Sequence, residues 1–237
     1  MNDRSDRLAL SLLLNEEPLA LHKQLTAFGS AAAVLDARAG GRFTIDEITA
    51  AREAAQREFD RAANAAVRII DETDPEYPPL LQKIRDRPLV LYLKGHAEAV
   101  DFLAVVGARK ADAHGLRLGE RFGHDLAAAG LGIVSGLAWG IDAAAHRGAL
   151  AAHGHTVAVL GSGLGCIYPR DHQPLAERIV AEGGLLVSEY PFEPGPGKQR
   201  FPLRNRIIAG MTLGTIVIQA GTRSGSLITA RLAAEYD

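Results

Sequence analysis

The sequence predicts an α/β protein with a mostly parallel sheet, preceded by a small all-helical domain. From residue 67 onward, short β-branched runs alternate with helical patterns, which is typical of parallel sheets whose strands are joined by helices. The first 66 residues lack such runs and carry leucines at helical spacing among Ala, Glu and Arg. We therefore predict a helical domain at 1–66 and a sheet domain at 67–237.

Glycine turns divide the helical domain into short helices. Residues 8–14 form an apolar run that is too short for a targeting segment and indicates a buried helix face. Thr44 and Glu47 form a capping-box pattern, which predicts a helix from there to about Asn64. Short helices joined by glycine turns suit either a scaffold or a helix-hairpin-helix DNA-binding unit, and we favour the scaffold.

Six strands are predicted in the sheet domain, each of them an apolar run that ends in glycine or a polar residue. They lie at 89–93, 103–106, 132–134, 156–160, 185–188 and 215–219. Ahead of them, the three prolines within 74–79 cannot continue a helix. We expect that segment to be a rigid connector into the sheet domain.

The composition is that of an ordinary globular protein. The chain has 237 residues, of which 47% are hydrophobic and 23% charged, and its net charge is -2. Any binding of nucleic acid must therefore depend on a local basic patch. The single cysteine, Cys166, excludes an intrachain disulfide and fits a reducing compartment, so we expect a cytoplasmic protein without membrane contact.

Motifs of common enzymes are missing from the sequence, which has no Walker loop, no Gly-x-Ser-x-Gly elbow and no paired catalytic acids. Asp142 and His146 lie one helical turn apart, but two ligands do not make a metal site. We assign both residues to capping and packing. The sequence thus predicts a protein that is not an enzyme and needs neither a metal nor a cofactor.

The segment 194–234 is unusual in its charge, because it holds six basic residues and no Asp or Glu. Glycine and small hydroxyl residues accompany them at 221–226, and their backbone N–H and O–H donors can close around phosphate oxygens. The segment predicts an anionic ligand, and a phosphate backbone in particular. The six basic residues are Lys198, Arg200, Arg204, Arg206, Arg223 and Arg231.

Glycine also clusters where the predicted strands end. Four of the five loops that follow these strands carry a glycine within two residues of the strand end, at 107–109, 135–142, 161–165 and 221–226. Ligands of open parallel sheets bind at the carboxyl ends of the strands, where helix N-termini favour anions. The ligand site is therefore predicted at this edge of the sheet.

Seven blocks of sequence carry a resemblance to a known family. They are VVGAR at 105–109, SGLAWGIDAAAH at 135–146, AVLGSG at 158–163, YP at 168–169, SEYP at 188–191, FPLRNRIIAG at 201–210 and RSGSLITA at 223–230. In this order they resemble the DNA-processing protein A family (DprA, also called Smf). The resemblance implies a Rossmann-like domain preceded by a helical SAM-like domain. It also implies a homodimer that binds and protects single-stranded DNA and loads RecA recombinase in natural transformation.

Two features depart from the family pattern. Gln219 stands where family members commonly have an acid, which removes a negative charge near the predicted DNA groove. The chain ends at Asp237, inside a helix predicted from about Leu227. We expect a truncated chain without the winged-helix tail of many relatives.

The resemblance also implies a DNA-binding site. Arg109 matches an arginine that contacts DNA phosphate, and Lys198 and Phe201 match a lysine and an aromatic residue beside the bound strand. Arg204 and Arg206 would complete a basic edge. Further contacts are expected from Arg170 and, through hydroxyl or backbone donors, from Ser135, Gly136, Ser224, Gly225 and Ser226.

Several alternatives remain open at this point. Phe201 suits base stacking, which we favour, but beside Pro202 it also suits a core anchor. The loop 161–165 with Glu189 resembles a dinucleotide-binding motif weakly, because its third glycine comes one residue early. Arg109 and Glu189 would be the catalytic pair of a nucleotide or phosphoribosyl hydrolase, which is the main alternative function.

Overall fold

The protein is described by a computed structural model that covers residues 3–14, 18–40, 42–98, 100–221 and 224–236. The helices are α1 (Asp3–Leu14), α2 (Pro18–Phe28), α3 (Ala31–Arg38), α4 (Ile45–Asn64), α5 (Ala113–Ala128), α6 (Ile141–Ala151), α7 (Gln173–Ala181), α8 (Arg200–Gly210) and α9 (Ser226–Glu235). Short 3-10 turns lie at Leu81–Lys83 and Arg170–His172. Within the described ranges, no helix is both long and apolar enough to cross a lipid bilayer.

A single sheet of seven strands forms the centre of the fold. The strands are β1 (Val67–Asp71), β2 (Val90–Gly95), β3 (Phe102–Gly107), β4 (Gly132–Ser135), β5 (Thr156–Val159), β6 (Leu185–Ser188) and β7 (Thr215–Ile218). Their order is β1-β2-β6-β5-β4-β3-β7, and β2 is antiparallel to both of its neighbours whereas β3 to β7 are parallel. The predicted mostly parallel α/β sheet is confirmed.

The start of the sheet differs from the prediction. All six predicted strands are present, but β1 precedes them and was missed, because it is a short edge strand whose second residue, Arg68, is exposed. The prediction that 74–79 connects into the sheet domain is therefore wrong, since this segment lies between β1 and β2. Tyr77 within it is buried, and its hydroxyl donates to the Pro88 carbonyl at 2.7 Å.

The N-terminal helices pack against the sheet. Leu8 and Leu10 of α1 are buried, as predicted for the apolar run, and they belong to one hydrophobic cluster with Tyr92 of β2. The hydroxyl of Tyr92 donates to Glu58 of α4 at 3.1 Å, and the Arg7 guanidinium pairs with Glu72 at 2.7 Å. The helical segment and the sheet thus share a core, and the boundary near residue 66 marks a change of element type.

The predicted start of α4 is confirmed in detail. The hydroxyl of Thr44 accepts from the Glu47 backbone N–H at 3.2 Å, and the Glu47 carboxylate accepts from the Thr44 backbone N–H at 2.8 Å. Both bonds satisfy N–H groups that the first turn of a helix leaves without partners. That the N-terminal helices form a SAM-like domain stays a prediction.

The two faces of the sheet are buried under different helices. Ala104 and Val106 of β3 face a cluster that includes Ile207 of α8, whereas Val105 between them faces a cluster that includes Ala145 of α6. This alternation follows from the two-residue repeat of a strand. The candidate site lies at the carboxyl ends of the parallel strands, beyond β3.

Candidate functional site

A cleft of about 730 Å³ opens beyond the carboxyl end of β3. One wall is the loop after β3 from Val106 to Lys110, and other walls are formed by α8 and the start of α9. Consecutive strands extend from β3 through β4 and β5 to β6, and the chain then crosses to β7 on the other side of β3. Open α/β sheets bind ligands at such a point of reversal. The position of the cleft agrees with the predicted edge.

The lining of the cleft is predominantly basic. Arg109 and Lys110 contribute from the loop after β3, and Lys198 and Arg204 contribute from the α8 side. Asp142 is the acidic side chain among the described lining residues, and it is almost fully buried. A concave surface with four cations and one buried carboxyl favours an anion. Neither the net charge nor the isoelectric point of the chain indicates this local excess of basic residues.

Two aromatic rings meet at one wall of the cleft. The ring centroids of Phe201 and Tyr168 are 5.7 Å apart, and the Arg109 guanidinium carbon lies 5.1 Å from the Phe201 centroid. Phe201 is half-buried, whereas Tyr168 is 41% exposed. The structure brings Arg109, Lys198 and Phe201 together in one cleft. Their contacts with DNA stay a prediction.

Phe201 is half-buried and lines the cleft, so its position is compatible with both of the roles that the sequence left open. We expect Phe201→Ala to weaken single-strand binding by about 1–3 kcal/mol, the usual range for an aromatic that stacks on a base. We expect a smaller loss of folding stability than the roughly 3–5 kcal/mol of a fully buried phenylalanine. Phe201→Tyr is the matched control, and affinity and unfolding are measured on the same preparations. A large loss of stability without a binding defect would make Phe201 a core residue only.

The start of α9 forms the far wall. Ser224, Gly225 and Ser226 all line the cleft, and the two serine hydroxyls lie 2.7 Å apart. The Asn205 side-chain amide donates to the Gly225 carbonyl at 3.2 Å, which joins α8 to this turn. The N-terminus of a helix favours anions, so the predicted placement of these residues beside a phosphate is geometrically reasonable. Thr222 and Arg223 of the loop 221–226 lie outside the described residues.

Arg204 is not part of an exposed basic edge, and that prediction is corrected. Its side chain is buried and donates to the Gly136 carbonyl at 2.8 Å and to the Val159 carbonyl. Burial lowers the pKa of Arg204 to about 10, although the nearby Asp142 carboxyl opposes this. The guanidinium therefore keeps its charge at neutral pH and lines the cleft from inside the protein.

The prediction for Arg206 is wrong in a different way. Arg206 is 4% exposed, does not line the cleft, and forms a two-pronged ion pair with Glu189 at 3.0 and 2.5 Å. Its Nε donates to the Asp86 carbonyl at 2.9 Å. Burial alone would lower the pKa of Arg206, but the Glu189 carboxylate raises it above its ordinary value. Arg206 holds α8 to the end of β6.

Ser135 and Gly136 do not have the donor role that was predicted. The Ser135 hydroxyl is buried and donates to the Val105 carbonyl at 2.6 Å, which ties β4 to β3. The Gly136 backbone N–H donates to Asp142 at 3.2 Å. The space that a Cβ on Gly136 would need is filled by the guanidinium of Arg204. Gly136 therefore admits Arg204 to the floor of the cleft.

Asp142 and His146 have the structural roles that the sequence predicts. Asp142 accepts from the backbone N–H groups of Gly136 and Ala138, and burial raises its pKa. His146 is fully buried with Nδ1 2.7 Å from the Thr156 hydroxyl, and burial lowers its pKa to about 3. His146 is neutral at physiological pH and bonds to the start of β5, whereas Asp142 fixes the loop that follows β4.

Arg170 is exposed on the short turn Arg170–His172 and does not line the cleft. Conversely, the sequence analysis missed the cleft residues Lys110, Asn205 and Tyr168. Lys110 directly follows Arg109, and Tyr168 belongs to one of the seven blocks, so both carried a usable signal. Asn205 also belongs to one of these blocks, but its contact with the start of α9 depends on the packing of α8 against α9, which no sequence pattern shows.

The match to a family profile agrees with the position of the cleft. The profile described as DNA recombination-mediator protein A matches residues 68–237, which include every residue that lines the cleft. The chain belongs to this family. The predicted resemblance to DprA and Smf proteins is confirmed.

Two proteins of this family are similar to the chain in sequence. Protein Smf of Escherichia coli is 47% identical over 161 residues, which cover 67% of this chain and 43% of that protein. The DNA processing protein DprA of Streptococcus pneumoniae is 45% identical over 168 residues, which cover 68% of this chain and 57% of that protein. The chain thus matches about half the length of these relatives.

Solved structures of DNA processing protein A have the same fold. The Streptococcus pneumoniae structure superimposes with a TM-score of 0.81 at 32% identity, covering 98% of this chain and 83% of that one. A Helicobacter pylori structure, described for its single-stranded DNA binding mode, gives a TM-score of 0.64 at 29% identity and covers 72% of this chain and 77% of that one. These likenesses confirm the Rossmann-like fold.

Proposed function

We propose that this chain binds single-stranded DNA in the cleft at the carboxyl edge of the sheet. The observation that carries the proposal is the meeting of four cations with an aromatic wall in one concave site. Proteins that bind single strands combine a cationic groove for the phosphates with aromatic platforms for the bases. The single-stranded DNA binding of the Helicobacter pylori relative supports the same ligand class here.

The geometry of the cleft favours a single strand over a duplex. Phe201 is half-buried, so a base reaches its ring only by leaving the stack of a double helix. Arg109 lies on the loop after β3 and Lys198 lies just ahead of α8, and both line the cleft. A flexible backbone can pass between these two cations, whereas the bases of a stiff duplex stay stacked away from Phe201.

We expect binding to be electrostatic and selective for single strands. If Arg109, Lys110 and Lys198, which are the exposed cations of the lining, each neutralise one phosphate, the logarithm of the affinity falls with the logarithm of the salt concentration at a slope of about -2, from roughly -0.7 per contact. Fluorescence anisotropy with a labelled oligothymidylate gives the slope, and a duplex of equal length is the control. An affinity that does not change with salt, or equal affinity for the duplex, would contradict the proposal.

The wider role that we propose is that of a recombination mediator. It comprises protection of incoming single-stranded DNA and loading of RecA recombinase during natural transformation, by a cytoplasmic homodimer. Membership of the recombination-mediator family supports this role. The test is RecA assembly on single strands coated with single-strand binding protein, which the wild-type chain should accelerate and a variant of the cleft cations should not.

The alternative function, nucleotide or phosphoribosyl hydrolysis, loses its proposed residue pair. Glu189 does not line the cleft with Arg109, and both of its carboxylate oxygens are bound by Arg206. A general acid or base needs to reach the substrate, which Glu189 does not do in this arrangement. We propose a binding protein and not an enzyme. Release of free base from nucleoside monophosphates by the purified chain would contradict this.

A further inference from the structure

Trp139 is the single tryptophan of the chain, and it is 44% exposed next to the cleft. It lies in the loop between β4 and α6, whose neighbouring residue Ala138 lines the cleft. Isolated exposed hydrophobic side chains are common on protein surfaces and need no explanation. Three further features distinguish Trp139.

The first feature is a loop that is fixed on both sides of Trp139. Leu137 is fully buried in the hydrophobic core with a φ of 56°, and Gly140 has a φ of 78°. A side chain at Gly140 would collide with the backbone carbonyls of Ala108 and Arg109. The Ile141 N–H also donates to the Ala108 carbonyl at 3.2 Å. The loop is thus held against the loop of Arg109, with the indole at the surface.

The second feature is an aromatic partner. The ring centroids of Trp139 and His172 are 5.0 Å apart with an angle of 50° between the rings. His172 Nδ1 lies 2.8 Å from the Leu137 carbonyl, and because a carbonyl only accepts, Nδ1 carries the proton. That bond fixes the imidazole, so the two rings form a stable surface.

The third feature is a cation on the same turn as His172. Arg170 is exposed, belongs to the turn Arg170–His172, and lies outside the cleft lining. Tyr168, two residues earlier, lines the cleft beside Phe201. The turn therefore connects the aromatic wall of the cleft to Trp139, and it provides an unburied charge that suits a phosphate.

From this arrangement we propose that Trp139 and His172 form a second base-stacking surface outside the cleft, with Arg170 contacting the adjoining phosphate. The occupant is a base of the same single strand that the cleft holds, so this inference rests on the proposed function. Tryptophan offers a large flat face to any base, which gives affinity without sequence preference. A strand that reaches both surfaces is longer than one that fills the cleft alone.

The single tryptophan allows a direct optical test. Selective excitation of tryptophan reports on Trp139 alone, and a stacked base is expected to quench its emission. The titration uses oligothymidylates of about 4 and about 16 nucleotides, which span the usual site sizes of single-strand binding folds. We expect the long oligonucleotide to quench strongly and the short one, held in the cleft, to quench weakly.

Substitutions test whether the stacking contributes to affinity. Trp139→Ala is expected to weaken binding of the long oligonucleotide by about tenfold, with little change for the short one. Trp139→Phe should retain most of the affinity, because it keeps an aromatic face. Phe122→Ala is the matched control, since Phe122 is a similarly exposed aromatic (40%) on α5. Unfolding curves of all variants show that the fold is retained.

The outcomes separate this inference from the proposed function. If the wild-type chain binds both oligonucleotides, but its emission does not change and Trp139→Ala binds like the wild type, the second surface is excluded and the cleft proposal stands. If the wild-type chain binds neither oligonucleotide, both proposals are wrong. Quenching together with a length-dependent loss in Trp139→Ala, absent from Phe122→Ala, supports the inference.

Discussion

Replacement of both Arg109 and Lys198 by alanine is expected to weaken single-strand binding by about 100-fold. Each side chain is exposed, lines the cleft and carries a charge suited to one phosphate. The loss of one phosphate contact usually costs about 1–2 kcal/mol, so two independent losses give roughly 2–4 kcal/mol. The salt slope should become less negative by about 1.4, from two contacts of roughly 0.7 each.

The control for this pair removes the same charge elsewhere. Lys83 and Arg121 are exposed cations that do not line the cleft, and the double variant Lys83→Ala/Arg121→Ala should bind almost normally. Anisotropy titrations of both double variants at several salt concentrations make the comparison. Equal losses in the two variants would point to a diffuse electrostatic effect and against a cleft.

The largest expected effect on stability comes from Arg206→Met. This change leaves Glu189, whose side chain is 13% exposed, without its ion-pair partner. Removing one partner of a buried pair typically costs about 3–5 kcal/mol, because the remaining charge stays poorly solvated. Urea unfolding monitored by circular dichroism should show this loss. The folded fraction should bind DNA normally, since Arg206 does not line the cleft.

A second substitution distinguishes loss of the pair from loss of packing. Arg206→Met/Glu189→Gln also removes the Glu189 carboxylate, and we expect part of the lost stability to return. A stable Arg206→Met protein with impaired DNA binding would show that Arg206 acts at the DNA surface, as the sequence first indicated, and would refute its structural assignment.

Much of the fold could be predicted from the sequence because its signals are local. The strands β3 to β7 are apolar runs bounded by glycine or polar residues, and the capping box at Thr44 is a four-residue pattern. The sequence pattern of β1 is weaker, because the strand has five residues and one of them is an exposed arginine. The reversal of β2 relative to its neighbours was equally invisible, since direction depends on pairing between distant segments.

The candidate site was predictable in position but not in the role of each arginine. Arg204 and Arg206 are two residues apart in a segment without acids, and both are buried for reasons that lie far away in sequence. Arg204 donates to the Gly136 and Val159 carbonyls, and Arg206 forms an ion pair with Glu189. The number of charges along a segment does not distinguish an exposed arginine from one that is buried and bonds to carbonyl or carboxylate groups.

Photo-crosslinking of bound DNA tests the central claim, that a single strand lies in this cleft. An oligothymidylate carrying 5-iodouracil crosslinks to aromatic side chains that contact its bases, and mass spectrometry identifies the attached peptide. Phe201 and Tyr168 form the aromatic wall, so crosslinks should map to peptides that contain these residues and should disappear in Arg109→Ala/Lys198→Ala. Crosslinks confined to the helices α1 to α4, and unaffected by that double variant, would contradict the claim.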